Sequence, residues 1–357
     1  MMSEAGSPTE ALEPVFLPWQ VAIAAAWLGG ERDRFAHAWL LHGQAGIGKR
    51  QFAWAAAASL LCEQPRQSLA CGECPACRWL RHGNHPDFRV VRPDAVALAE
   101  GAQEAGEPDA DGARAKKTPS REIRIEQVRE LERWITTATH RGGWRVVLLY
   151  PLHTLNPYAA NALLKMLEEP PAHTVFLLVT DAPDRVLPTL LSRSRRLPLA
   201  APEPAQAQAW LESMGVAEPQ SFLAAAGQAP VGALAMARLH NRAWPEWLPV
   251  WLEGLSRGQG RALAARLAGD LEKQSPTEWL AVLQRAVCDL QWQQNGLAPR
   301  YYPGLAGVSG ALASRCGKVL LAEFGRYLAQ QIRVANHPLN TRLFAQATLL
   351  RMAETAV

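Results

Sequence analysis

Four of the six cysteines in this chain are Cys62, Cys71, Cys74 and Cys77, spaced C-x8-C-x2-C-x2-C. Two x2 steps bring thiolates together in tight turns, as a tetrahedral metal site requires. Four thiolates close the coordination shell and leave no position for water, so the chemistry is structural rather than catalytic. The ion that fits best is zinc; an iron–sulfur cluster and reduced free thiols are the alternatives. His82 and His85 lie close by, but the cysteines already complete a shell. In a small excursion with little core, such a site supplies folding energy on the order of 10 kcal/mol. Cys288 and Cys316 stand alone in helical-looking sequence and read as small buried apolar residues.

A second constellation runs Gly43-Gln44-Ala45-Gly46-Ile47-Gly48-Lys49-Arg50. It follows the phosphate-loop pattern G-x-x-x-x-G-K-[ST] up to its last residue. Glycines there let backbone N–H groups cradle phosphate oxygens, the lysine reaches the outer phosphates, and the final hydroxyl holds Mg²⁺. Gly43, Gly48 and Lys49 are present, but Arg50 stands where the hydroxyl belongs, and a guanidinium repels a cation. Hydrolysis also needs acidic groups at the end of a neighbouring strand. The apolar run Val146–Leu149 is the natural host, and Tyr150-Pro151 follows it instead of acids. ATP hydrolysis by this chain alone is therefore not expected. The surviving lysine leaves nucleotide binding open as a secondary reading. The primary one is a loop that keeps its shape as a scaffold.

The elements that must position these residues are legible from hydrophobic patterning. Residues 14–30 suggest a helix stopped at Gly29-Gly30, and Ala38–Leu41 a buried strand. The glycine loop and a helix over Lys49–Leu61 complete a strand–loop–helix unit. Further strands are predicted at Phe88–Val91, Val146–Leu149 and Val175–Val179, with helices over Ile125–Thr137 and Pro157–Leu167. The second helix ends at Pro170-Pro171, which cannot continue it. Alternating strands and helices to about residue 200 imply a parallel sheet covered on both faces. Residues 98–120, rich in Ala, Gly, Glu and Asp, read as a mobile insertion loop. Beyond Pro198 the segments read as helices, with a break near Pro202 and a softer one near Trp244-Pro245.

The chain has 357 residues, enough for two or three domains. Hydrophobic residues make up 48% and charged ones 20%, a soluble globular composition. The net charge of +4 permits contact with nucleic acid without demanding it. No apolar run reaches the roughly 18 residues of a membrane helix. Met1–Glu13 is acidic and polar and does not read as a secretion signal. A cytoplasmic location is the expectation, where structural disulfides are rare.

The order of motifs resembles the bacterial clamp-loader AAA+ family of DNA polymerase III. Ala36–Leu41 leading into the glycine loop is similar to the start of such subunits. Asn161-Ala-Leu-Leu-Lys-Met-Leu-Glu-Glu-Pro-Pro171 is similar to the helix after their second nucleotide motif. Leu190-Leu-Ser-Arg-Ser194 resembles their Ser-Arg-Cys motif with serine for cysteine, and Asn340–Leu343 resembles their last domain. The family's motor branches, gamma and tau, keep Ser or Thr after the lysine and an Asp-Glu pair after the strand. Arg50 and Tyr150-Pro151 depart from that and resemble the delta-prime branch, a stator. The resemblance implies an AAA+ α/β domain over 1–200 with a zinc module at 62–77, a helical lid over 201–244 and an all-α collar domain over 245–357. It implies Arg193 as an arginine finger reaching ATP held by a neighbouring subunit. Thr180 ends the strand where the family senses the γ-phosphate, but here it reads as a strand cap. Gly227–Leu234, where a motor would hold a second sensor arginine, contains none. The implied partners are gamma or tau and delta subunits, with the sliding clamp and primed DNA met through the complex. The chain would thus have no catalysis of its own within a DNA-directed DNA polymerase, a nucleotidyltransferase. Rival readings are an active gamma- or tau-type ATPase and a stand-alone zinc-dependent nucleic-acid-binding module.

Overall fold

The computed structural model describes residues 14–30, 35–101, 119–137, 139–141, 143–335 and 340–356. The Met1–Glu13 stretch and 102–118 of the expected insertion lie outside the described residues. The chain divides into two compact units, Met1–Pro202 and Glu203–Val357.

In the first unit, Ala38–His42 (β1), Phe88–Val91 (β2), Arg145–Leu149 (β3), Thr174–Thr180 (β4) and Arg195–Pro198 (β5) build one sheet. Its order is β2-β3-β4-β1-β5 and every pairing is parallel. The strands β3 and β4 are buried along their whole length, which is why their sequences run apolar without alternation. Strand β5 was not legible as a strand, because Arg195 and Arg196 break any apolar pattern. It forms by pairing Trp39–His42 with Arg195–Pro198, and its charges suit an exposed edge.

Seven helices flank these strands among the described residues of this unit: Val21–Leu28 (α1), Lys49–Leu61 (α2), Pro75–Arg81 (α3), Asp94–Ala99 (α4), Ile125–Ile135 (α5), Pro157–Glu168 (α6) and Pro188–Ser192 (α7). Helix α2 buries Phe52 and Ala55–Ala58; alanine lets it lie close against the strands. Helix α6 starts where the Asn156 side chain accepts from the Ala159 N–H at 2.8 Å, with Pro157 preset for the first turn. Leu163 and Leu167 of α6 join Val128, Leu131 and Ile135 of α5 over Val147 and Phe176. Full burial of each such side chain is worth about 2 kcal/mol. Helix α5 ends at Ile135, short of the expected Thr137. Leu98 and Ala99, read from sequence as loop, complete α4, with Glu100 as its C-cap.

The second unit is helical throughout: Pro204–Ser213 (α8), Pro219–Ala225 (α9), Pro230–Leu239 (α10), Trp247–Ser256 (α11), Gly260–Leu271 (α12), Pro276–Gln293 (α13), Ala306–Ala313 (α14), Lys318–Val334 (α15) and Thr341–Ala353 (α16). One buried cluster runs from Ala207 and Leu211 through Trp251 and Trp279 to Met352. At Trp244-Pro245 the chain turns from α10 to α11 inside that unit, and both sides contribute to the same cluster. No single described helix is long and apolar enough to cross a membrane.

One polar device ties the turn after α13. Asp289 is 2% exposed, and its carboxylate accepts from the backbone N–H groups of Arg300, Tyr301 and Tyr302 at 2.7, 2.9 and 2.7 Å. Asp289→Ala would strand these donors, a loss on the order of 3 kcal/mol. Urea unfolding followed by circular dichroism should show the lower midpoint; an unchanged midpoint would mean that water replaces the carboxylate.

Candidate functional site

The four cysteines of the first unit converge after α2. Cys62 caps the C-terminus of α2, and Cys74 caps the N-terminus of α3 with Pro75 behind it. Their Sγ atoms all lie within 4.8 Å of one another, with Cys62–Cys74 at 3.9 Å and Cys71–Cys77 at 4.0 Å. A tetrahedron of thiolates about 2.3 Å from one ion has edges of about 3.8 Å, so a single ion fits. An iron–sulfur cluster, with several irons and bridging sulfides, would spread the thiolates farther apart. Backbone N–H groups of Cys71, Cys74 and Cys77 point at Cys62, Cys71 and Cys74 sulfurs at 3.3, 3.3 and 3.5 Å, which favours thiolate ligands. Burial pushes the Cys62 and Cys77 thiols up, while backbone donors from Glu73 and Cys74 pull Cys71 down to about 6. His85 Nδ1 accepts from the Asp87 N–H at 3.1 Å instead of joining the cluster. The cysteine set alone could hold a metal ion.

The phosphate loop joins β1 to α2, so that the N-terminus of α2 faces the C-terminal edge of the sheet. Gly43, Gly46 and Gly48 have φ of 153°, 79° and 90°. At Gly43 a Cβ would stand 2.2 Å from the Leu199 carbonyl oxygen, so only glycine fits. Lys49 is 4% exposed; its ammonium is hydrogen-bonded to the Gln44 carbonyl and ion-paired with Asp181, just past β4. Arg50 ion-pairs with Glu100, and Arg92 with the same carboxylate. Arg92 also donates to the Tyr150 hydroxyl at 2.8 Å, which donates to Glu100 Oε2 at 2.7 Å. Burial and then the Glu100 carboxylate push the Tyr150 phenol up to about 12, so it stays protonated and donates. The two departures from the motor pattern, Arg50 and Tyr150, thus meet at one carboxylate. Thr180 is fully buried; its hydroxyl accepts from the Ala182 N–H at 3.1 Å and faces His153 Nδ1 at 3.1 Å.

Arg193 caps α7, at the surface of the first unit. Its guanidinium pairs with Glu168 at 2.5 Å and donates to the Thr189 carbonyl at 3.1 Å, with its side chain 36% exposed. Ser194 donates back to the Leu190 carbonyl at 3.0 Å, so the serine that replaces cysteine closes α7 locally.

A family model described as "DNA polymerase III, delta subunit" matches residues 29–203. The delta-prime subunit of DNA polymerase III from Pseudomonas aeruginosa is 39% identical over 252 residues, 70% of this chain and 68% of that one. The delta-prime subunit from Yersinia pestis is 33% identical over 284 residues, 78% and 77% of the two chains. The chain belongs to the DNA polymerase III delta-prime family. A tau subunit from Salmonella typhimurium is 34% identical over 179 residues, 50% of this chain but 24% of that one. The delta-prime member described here thus matches a tau subunit over half of its own length, with Arg50 after the loop lysine and Tyr150-Pro151 after β3. Four contributors to its sites escaped the sequence reading in these roles. Asp181 follows a strand end that faces the loop, where α/β sheets place ligand-binding groups, and that signal could have found it. Arg92, Glu100 and Glu168 gave none, because each meets its partner only through the fold.

Proposed function

We propose that this chain is an ATPase-silent subunit of a DNA polymerase III clamp loader that donates Arg193 in trans to a neighbouring gamma or tau subunit. The observation that carries the reading is the junction of Arg50, Tyr150 and Glu100, which puts a guanidinium–carboxylate pair where Mg²⁺ would need free oxygens. Arg193, by contrast, stands at the surface in an ion pair with Glu168 whose side chains are 36% and 50% exposed, a pair that a neighbouring phosphate can replace at small cost. An arginine supplied in trans neutralises charge on the transferring phosphoryl group and is worth roughly 10³–10⁵ in rate. Delta completes the assembly, which opens the sliding clamp and places it on primed DNA during replication in the cytoplasm. Cys62, Cys71, Cys74 and Cys77 hold a structural zinc ion that folds the 62–77 module. Residues 201–244 act as a lid and 245–357 as the collar that joins the ring.

Reconstitution tests this. The purified chain should show no ATP turnover, and gamma or tau with delta should reach full DNA-stimulated turnover only when it is added. Turnover by the lone chain at a motor's rate would make it an active ATPase instead.

A further inference from the structure

Every cation that the degenerate phosphate loop presents is met by a carboxylate of the same chain. Lys49 is paired with Asp181. Arg50 and Arg92 share Glu100, whose third donor is the Tyr150 hydroxyl. The Glu100 side chain is only 12% exposed, and it comes from a different element, the C-cap of α4, some 50 residues beyond the loop. The loop itself is still built for an anion. Its glycines keep positive φ, and α2 presents its N-terminal end there over 13 residues. Removing the metal-binding hydroxyl and acids explains why Mg²⁺ has no seat. It does not explain why a lysine and two arginines around an intact glycine loop would ignore a phosphate chain that needs no metal.

We propose that Glu100 and Asp181 are built-in anions that occupy the cationic groups of this loop and keep it closed to polyphosphates, so that the site is locked as well as metal-blind. The two carboxylates stand in for phosphate oxygens: Asp181 on the lysine, Glu100 on the arginines. A free polyphosphate must displace both, against partners already at contact distance, and it meets their negative charge if it does not. The lock leaves the domain in one arrangement with no bound nucleotide, a property that suits a rigid stator. The inference deepens the silent-site part of the proposed function and is independent of Arg193.

The test titrates inorganic pyrophosphate, in EDTA, into the full chain and into Asp181→Asn, Glu100→Gln and the double variant, by calorimetry. The wild type should bind nothing measurable. Each neutralised carboxylate should tighten binding by at least about tenfold, since one charge within about 5 Å of a bound anion outweighs that factor at protein-surface dielectric. Adding Arg50→Ala to Glu100→Gln should abolish the gain. Asp181 is 45% exposed, so Asp181→Asn is expected to fold and decides the matter if Glu100→Gln does not. The lock is wrong if the wild type binds pyrophosphate as tightly as the variants, or if folded variants gain no affinity. Either result leaves the proposed function standing as long as the lone wild-type chain turns over no ATP; such turnover would instead overturn that function.

Discussion

Arg193→Ala should lower ATP turnover at the adjoining motor site of a reconstituted complex by about 10³-fold or more, the range measured for arginines supplied in trans. The total rate of the complex should fall by the share which that site contributes. Assembly, metal content and melting of the variant should match the wild type. Its only ion pair among the described residues is with Glu168, and the side chains are 36% and 50% exposed. Exposed pairs of this kind contribute at most about 1 kcal/mol, so a lost rate cannot be blamed on unfolding. Arg193→Lys should rescue poorly, because an ammonium lacks the planar fork that meets two phosphate oxygens at once. Steady-state turnover of the complex with primed DNA checks this, and a rate equal to wild type in the alanine variant would remove Arg193 from the reaction.

The second large effect is expected from Cys74→Ser. Cys74 is 5% exposed, supplies one of the four converging sulfurs and caps α3. Serine is itself a good helix N-cap, so the cap survives and the change isolates the metal. Binding of a structural zinc is worth on the order of 10 kcal/mol in small modules, and a three-ligand remnant keeps little of it. The variant should purify without its metal equivalent, and the first unit should melt earlier and less cooperatively. Ala76 and Cys77 lose their seat once the knuckle opens, since they are buried in one cluster with Cys62 and Cys74. Chelation of the wild type should reproduce the early transition, and zinc should reverse it. Metal content by emission spectroscopy and a melt by circular dichroism decide the point; wild-type values in both would refute the site.

The parts of the first unit that were legible share one property: their signal is local. The apolar runs at 146–149 and 175–179 read as buried strands because they are short and rich in β-branched residues, and a parallel sheet covered on both faces leaves them no polar side. The Asn156-Pro157 start of α6 and the diproline after it are likewise read off neighbouring residues. Strand β5 was missed for the opposite reason, since its strand character comes from pairing with β1 and not from its own residues. Composition alone makes 98–100 read as loop, whereas local backbone bonds from Glu100 to the Val96 and Ala97 carbonyls close α4 there, and the Glu100 side chain meets Arg50, 50 residues away.

By itself the sequence determined which groups the loop lacks for Mg²⁺ and which four thiols could hold a metal ion. Arg50 cannot bind Mg²⁺ in any fold, Tyr150-Pro151 carries no acid, and the cysteine spacing fits a closed metal shell wherever it lies. Only the tertiary structure decided which charges answer one another: Asp181 to Lys49, Glu100 to Arg50 and Arg92, Glu168 to Arg193. An ion pair leaves no periodic trace along a chain. Its partners are chosen when the sheet and helices bring distant side chains within a few ångströms, where Coulomb attraction first exceeds the cost of ordering them.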